Sequence, residues 1–276
     1  MIDTIRKDRK GQIVFFIFLL LTFFWFVLQA NLLNNQLLFA HSYQKFFGAI
    51  YGIVALLGAL WGIGTAMKWG GLRTVMGKAI IMFSLGLFAQ EFGQASLSII
   101  DYVFKIQGSY PSIGDIGFFG SIPLYILGVL YLAKASGVKI GLKSLTNKIQ
   151  AIIIPIVILS VGYILFLNGY KFDWKDPLKI FLDFGYPLGQ AIYISLALLT
   201  YLLSRKVLGG VMKNKILLIL FALGIQFIAD YTFLYQSSKG TWTVGNINDY
   251  MYLAAYFIMT LGILSLRVEN IKNKLN

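Results

Sequence analysis

Residues 101–115 read DYVFKIQGSYPSIGD: an aspartate closes one long apolar run, a short polar turn follows, and a second aspartate opens the next apolar run. Residues 230–249, DYTFLYQSSKGTWTVGNIND, repeat the order Asp-Tyr-x-Phe, polar loop with Gly, Asp. A carboxylate on that side of a hydrophobic segment is costly in hydrocarbon and is there for a task or for a partner. Two turns of this kind between long apolar runs read as helical hairpins, with a polar pocket in one leaflet of a membrane.

The rest of the chain fits that reading. With 58% hydrophobic and 13% charged residues, too little polar surface exists for a soluble domain. Eight windows are each long and apolar enough to cross a hydrocarbon layer of roughly 30 Å as a helix: 12–30, 46–67, 79–100, 112–133, 149–168, 180–204, 216–236 and 247–266. Long apolar runs rather than short alternating ones exclude a barrel. The expected fold is all-α: one polytopic domain over residues 1–276, with eight transmembrane helices built from hairpins and parallel internal repeats.

The net charge of +13 lies in alternate loops. One face collects Arg6, Lys7, Arg9, Lys10, Lys68, Arg73, Lys78, Lys134, Lys139, Lys143, Lys148, Arg205, Lys206, Lys213, Lys215, Arg267, Lys272 and Lys274. The other keeps Lys45, Lys105, Lys171, Lys175, Lys179 and Lys239. This is the positive-inside bias, which places both termini in the cytoplasm of a multi-pass plasma-membrane protein. The basic residues are topology signals that also meet anionic lipid, so membrane lipids are partners and nucleic acid is not. The first segment is too long for a signal peptide's apolar core and reads as an uncleaved anchor.

Acidic residues take the opposite face. Only Asp3, Asp8 and Glu269 accompany the basic loops, while Glu91, Asp101, Asp115, Asp173, Asp176, Asp183, Asp230 and Asp249 fall in the outer half or outer loops. In the third segment Glu91, Gln94, Ser98 and Asp101 follow i, i+3, i+7, i+10, a stripe about 80° wide that must look inward. The sixth segment repeats the spacing with Asp183, Tyr186, Gln190 and Tyr193; the seventh sets Gln226 and Asp230 at i, i+4; the eighth aligns Asp249, Tyr252, Tyr256 and Thr260. Asp115, three residues after Ser112, has a second reading as the acid of a helix capping box. No Lys or Arg lies within the eight windows, so these carboxylates are expected to be protonated, hydrogen-bonded, hydrated or to hold an exogenous cation. The candidate ligand-binding residues are therefore Glu91, Gln94, Asp101, Asp115, Asp183, Tyr186, Gln190, Gln226, Asp230, Asp249, Tyr252 and Tyr256, expected to line one outer-leaflet hollow. Gly48, Gly52, Gly58 and Gly62 in the second segment are spaced for close helix contact inside the bundle. Gly120, Pro123 and Pro155 are kink candidates.

Glu91, Asp101, the SYPSIGD turn, the DFGYPLGQ start of the sixth segment, IADYTF in the seventh and INDYMYLAAY in the eighth together resemble a known family. These are the multi-helix membrane input domains that precede diguanylate cyclase or histidine kinase modules in bacterial signalling proteins. The resemblance covers residues 79–266. Ser109 and Gln190 stand where that family usually has Pro and Asp. The chain ends shortly after the eighth segment, so the resemblance implies a sensor that signals through a separate cytoplasmic protein meeting the loops or the tail RVENIKNKLN. A second copy of the chain is a further partner candidate.

Enzyme classes fit poorly. The lone His41 provides no His-Glu-x-x-His site, and Ser112-Ile113-Gly114-Asp115 lacks the first Gly of an intramembrane aspartyl protease pattern. No Lys sits deep in a helix to form a Schiff base, and the absence of Cys removes thiolate metal sites and Cys nucleophiles. The sequence names no cofactor and no metal site. It favours a sensor with an acidic, Tyr-lined cavity for a cation, an amine or an amphiphile with a cationic head, drawn in by charge and by cation–π attraction. A small-molecule or proton-coupled transporter is the alternative, against which the apolar inner half of the helices argues.

Overall fold

The computed structural model describes residues 2–33, 37–106, 110–137, 145–204 and 210–267, without the side chains of 2, 3, 33, 37–41, 145–148, 204, 210 and 211. The side chains of Asp3, His41 and Lys148 lie outside the described residues. So do Ser109, Lys139, Lys143, Arg205, Lys206 and the tail from residue 268 with Glu269, Lys272 and Lys274. Every element among the described residues is helical: α1 (Ile2–Lys7), α2 (Arg9–Leu33), α3 (Leu37–Ile50), α4 (Ile53–Lys68), α5 (Val75–Tyr102), α6 (Ile113–Ala135), α7 (Leu145–Gly162), α8 (Pro177–Ser204), α9 (Gly210–Ser238) and α10 (Ile247–Ser265). Eight spans long and apolar enough to cross a membrane result, with α3 and α4 sharing one. The chain is a polytopic all-α membrane protein.

The second span departs from the expected single helix. Tyr51 and Gly52 form a turn between α3 and α4, so the span is interrupted in the half away from the described chain ends. Gly52 is packed so closely against the Glu91 carboxylate that any side chain there would collide with it. A second irregularity is a π-helical turn over Tyr163–Leu167 at the C-terminal end of α7, past Pro155. Pro123 lies inside an unbroken α6, and nothing approaches the open side of Gly120.

Six helices close into a ring in the order α4, α5, α6, α8, α9, α10 and back to α4. The pairs α5–α6 and α9–α10 pack most extensively, which are the two hairpins read from the repeated Asp motifs. Close approach in the first depends on glycine. A Cβ at Gly117 would run into the Ala89 carbonyl oxygen, and one at Gly86 into the Tyr125 ring. In α4, Gly58 receives Thr260 and Leu87, and Gly62 receives Ser84 and Ile263, so its small residues face α5 and α10 inside the bundle.

Two of the eight spans stand outside the ring. In α10, 67% of the hydrophobic window is buried, against 22% in α2 and 6% in α7. α2 packs chiefly against α10 and α3, and α7 chiefly along α8 and its own π turn. Their outward Phe16, Phe23, Ile152 and Ile164 are exposed, as lipid-facing residues are. The described chain ends meet on one side: the Arg267 guanidinium lies 2.6 Å from Asp8, and the Trp69 indole donates to the Leu266 carbonyl at 2.7 Å.

Candidate functional site

At the axis of the ring stands Asp230 of α9. Its Oδ2 accepts a hydrogen bond from the Tyr193 hydroxyl of α8 at 2.7 Å; its Oδ1 accepts from Tyr252 of α10 at 2.9 Å and from Gln226 Nε2 one turn earlier at 3.1 Å. All four side chains have buried or largely buried positions, and the three hydrogen bonds that Asp230 accepts from described side chains all come from uncharged groups. Neutral donors from three helices thus satisfy a buried acid, which the low-dielectric interior requires. Toward α5 the polar core continues: Tyr256 donates to Gln90 Oε1 at 3.0 Å, and Gln90 Nε2 donates to Ser121 of α6 at 2.7 Å. Stacked rings of Tyr252, Tyr256 and Tyr51 join these groups.

Nearer the rim of the ring, on the side away from the described chain ends, two more carboxylates are held by phenols. Asp115 takes the capping position expected of it and also meets a phenol. Oδ2 accepts from the Ser112 backbone N–H at 2.7 Å, closing the capping box of α6, and Oδ1 accepts from Tyr186 of α8 at 2.7 Å. Asp183 accepts from Tyr110 at 2.8 Å and from Tyr170 at 2.6 Å. Burial, the hydrogen bond to Asp183 and its charge push the Tyr170 phenol up to about 12, and the same causes raise Tyr110. Both phenols are therefore neutral donors at physiological pH.

The third-segment stripe goes elsewhere. Glu91, Gln94 and Asp101 face the α3–α4 seam and not the axis. Gln94 donates to the Gly48 carbonyl at 2.6 Å and accepts from Tyr51 at 2.9 Å. Glu91 rests on Gly52 with Oε2 enclosed and without a hydrogen-bond partner. Asp101 forms an ion pair with Lys45 at 3.2 Å. This corrects the expectation that no cation of the chain reaches these acids. α3 extends outward past the apolar window and carries Lys45 to the end of α5. The residue of α5 that does reach the axis is Gln90, the neighbour of Glu91 and about 100° away around the helix.

Asp249 folds back to accept from the Gly245 N–H at 2.6 Å, while Asn246 Oδ1 caps the Asn248 N–H at 2.8 Å. The Gly245 carbonyl accepts from Trp25 and Gln29 of α2. Gly245 has φ +79°, a conformation suited to glycine, and Asp249 builds this turn. The single hollow expected for the acids is thus replaced by separate settings: an axial one at Asp230, a rim at Asp115 and Asp183, the α3–α4 seam at Glu91 and Asp101, and a capped turn at Asp249. The internal repeat holds only in part. Asp115 and Asp249 occupy the same capping position of their helices, whereas Asp101 ends α5 and Asp230 lies buried well before the end of α9.

Tyr193, Tyr110, Tyr170, Tyr51, Gln90, Ser121 and Lys45 complete these networks and stand outside the sequence-derived set. Tyr193 alone carried a signal, as the last member of the Asp183–Tyr186–Gln190 spacing. Gln190 lies between Tyr186 and Tyr193 on one face of α8 and is buried, yet its Oε1 has no hydrogen-bond partner. Asn248 donates to the Ala229 carbonyl at 2.7 Å while its own Oδ1 is equally unmet. The unmet atoms around the core include three acceptors, so the core can take up further donors. Among the described residues no group of His, Asp and Glu is assembled to hold a metal ion. Comparison of the chain with family models, curated proteins and solved structures finds no match.

Proposed function

We propose that this chain is a membrane-embedded sensor that binds a donor-bearing cation, an amine or an amphiphile with a cationic head, in the outer half of its helix ring. The observation that carries the reading is Asp230, an acid on the ring axis satisfied by neutral donors from α8, α9 and α10. An ammonium group offers stronger, charge-assisted hydrogen bonds to a carboxylate than a phenol does. Its arrival would release Tyr193 or Tyr252 and shift α8 and α10 relative to α9. Differential contact of this sort is what a ligand needs to move a conformational equilibrium. The resemblance to bacterial input domains supports the same reading, with the signal passing to a separate protein at the basic face. The basic loops support a plasma-membrane location with both termini cytoplasmic.

The test is thermal unfolding of the purified chain in detergent with primary, quaternary and long-chain amines. Binding that raises the midpoint in the wild type and is lost in Asp230→Asn and Asp115→Asn supports the reading; a midpoint indifferent to every amine overturns it. A proton-coupled carrier is the second reading, favoured by the Tyr51–Gly52 interruption against the unpartnered Glu91 oxygen. Substrate flux in proteoliposomes, abolished by Glu91→Gln, would put the carrier in its place.

A further inference from the structure

The seam between α7 and α8 holds a groove of about 240 Å³ lined by Leu159, Gly162, Tyr163, Leu167, Phe184, Pro187 and Leu188. Leu159 and Tyr163 also border a shallow, open depression on the face of α7 that takes in Ile156 and Ile164. From Leu167 to Leu159 the groove runs roughly 12 Å at 1.5 Å per residue, under half of the hydrocarbon layer. The groove exists because Gly162 has no side chain, α7 unwinds into a π turn and Pro187 sits in α8.

At its outer end lies a cluster of rings. Phe184, which lines the groove, stacks on Phe172 at 5.6 Å and meets Tyr170 edge-on at 5.2 Å; Phe172 stacks on Trp174 at 5.4 Å. The Asp183 carboxylate, held by Tyr170 and Tyr110, is the neighbour of Phe184. Trp174 is 77% exposed and Phe172 51%. No lysine is found over these four rings among the cation–π contacts of the described residues, although Lys171, Lys175 and Lys179 flank them. An interfacial aromatic belt accounts for exposed rings; it does not account for a carboxylate beside them and an apolar groove beneath them.

We infer that the α7–α8 seam binds a long-chain amphiphile with a trimethylammonium-type head, its tail along the groove and its head on the ring cluster beside Asp183. Aromatic faces with an adjacent acid suit a quaternary ammonium, which attracts through charge and needs no hydrogen bonds. The same head occurs on free alkylammonium compounds and on phosphocholine lipids, whose phosphate would meet the flanking lysines. The inference rests on the proposed sensor reading and names its ligand class and its entry from the lipid side. The groove floor is closed by Tyr231, next to Asp230 in sequence, which donates to the Pro187 carbonyl behind Gly162, so an occupant of the groove bears on the helix that carries Asp230.

The experiment uses the full chain in nanodiscs of phosphatidylglycerol, titrated with dodecyltrimethylammonium, dodecylphosphocholine, dodecyl sulfate and tetramethylammonium. Readouts are the unfolding midpoint and the Trp174 emission, the latter isolated by subtracting a Trp174→Phe variant. Saturable binding of either trimethylammonium amphiphile, weakened roughly tenfold or more by Asp183→Asn and by Leu188→Trp, is the expected result. Which of the two binds tells a free alkylammonium from a phosphocholine lipid. Leu188 is 49% exposed, and Leu159→Trp, at 38%, fills the same groove should the first variant fold poorly. Equal binding of dodecyl sulfate, no saturable binding, or binding that survives both groove-filling variants overturns the inference. A response to soluble amines that depends on Asp230 and survives that failure leaves the sensor reading standing.

Discussion

Asp230 shows how a membrane bundle keeps an acid without a counter-ion: hydroxyl and amide donors from three helices take the place of water. The contribution of each is bounded, because an unfolded helix in a bilayer also finds partners. Tyr193→Phe and Tyr252→Phe are each expected to cost about 0.6–1.7 kcal/mol, and the double variant less than the sum, by reversible unfolding in detergent. Replacement of Asp230 by Asn should retain fold, since the amide oxygen still accepts from both phenols. At the rim the prediction concerns pH. Tyr170 has its pKa raised from 10.0 to about 12, so its folded-state stabilisation is intact below pH 10 and is lost as pH climbs toward about 12. Alkaline difference absorbance between wild type and Tyr170→Phe should show that phenolate forming only near the upper end of the window. A phenolate already formed near pH 10 would mean that Tyr170 does not hold Asp183.

The elements of the two hairpins are joined by different means. α5 and α6 approach backbone to backbone through Gly93, Gly114 and Gly117, so Gly117→Leu should cost about 1–3 kcal/mol and loosen that pair first. Gly224 of α9 has nothing within 4 Å of its open side, so Gly224→Ala should be neutral or stabilising by up to about 1 kcal/mol under the same unfolding assay. If both substitutions behave alike, glycine-mediated contact is not what holds α5 to α6. The Tyr51–Gly52 interruption shows an element-scale trade. Glycine at 52 leaves the Glu91 carboxylate the space that a side chain would fill, so Gly52→Ala would force Glu91 to shift.

For the whole molecule, the ring with α2 and α7 outside it leaves one face basic and the other acidic and aromatic. The absence of Cys makes orientation directly testable. In intact cells a membrane-impermeant maleimide should label Ser237→Cys, exposed in the last turn of α9, and should reach Arg73→Cys only after permeabilisation. The reverse pattern would invert the proposed topology. The Asp8–Arg267 pair already requires both described ends to share one side.

From the sequence alone came the class, the eight spans, the hairpins, the capping acid Asp115 and the existence of polar faces, because a bilayer demands long apolar helices and penalises every charge inside them. It did not reveal which face of each helix looks at protein. Lipid tails and helix neighbours are equally apolar, so hydrophobic periodicity carries little direction in a membrane; Glu91 and Gln90 are adjacent, yet one faces the α3–α4 seam and the other the axis. Tertiary packing also decided that Lys45 reaches Asp101, that Asp249 serves a turn, and that phenols distant in sequence hold Asp230 and Asp183. Those choices depend on glycine-sized gaps between particular helices, and a gap is a property of two surfaces in register rather than of either segment's residues.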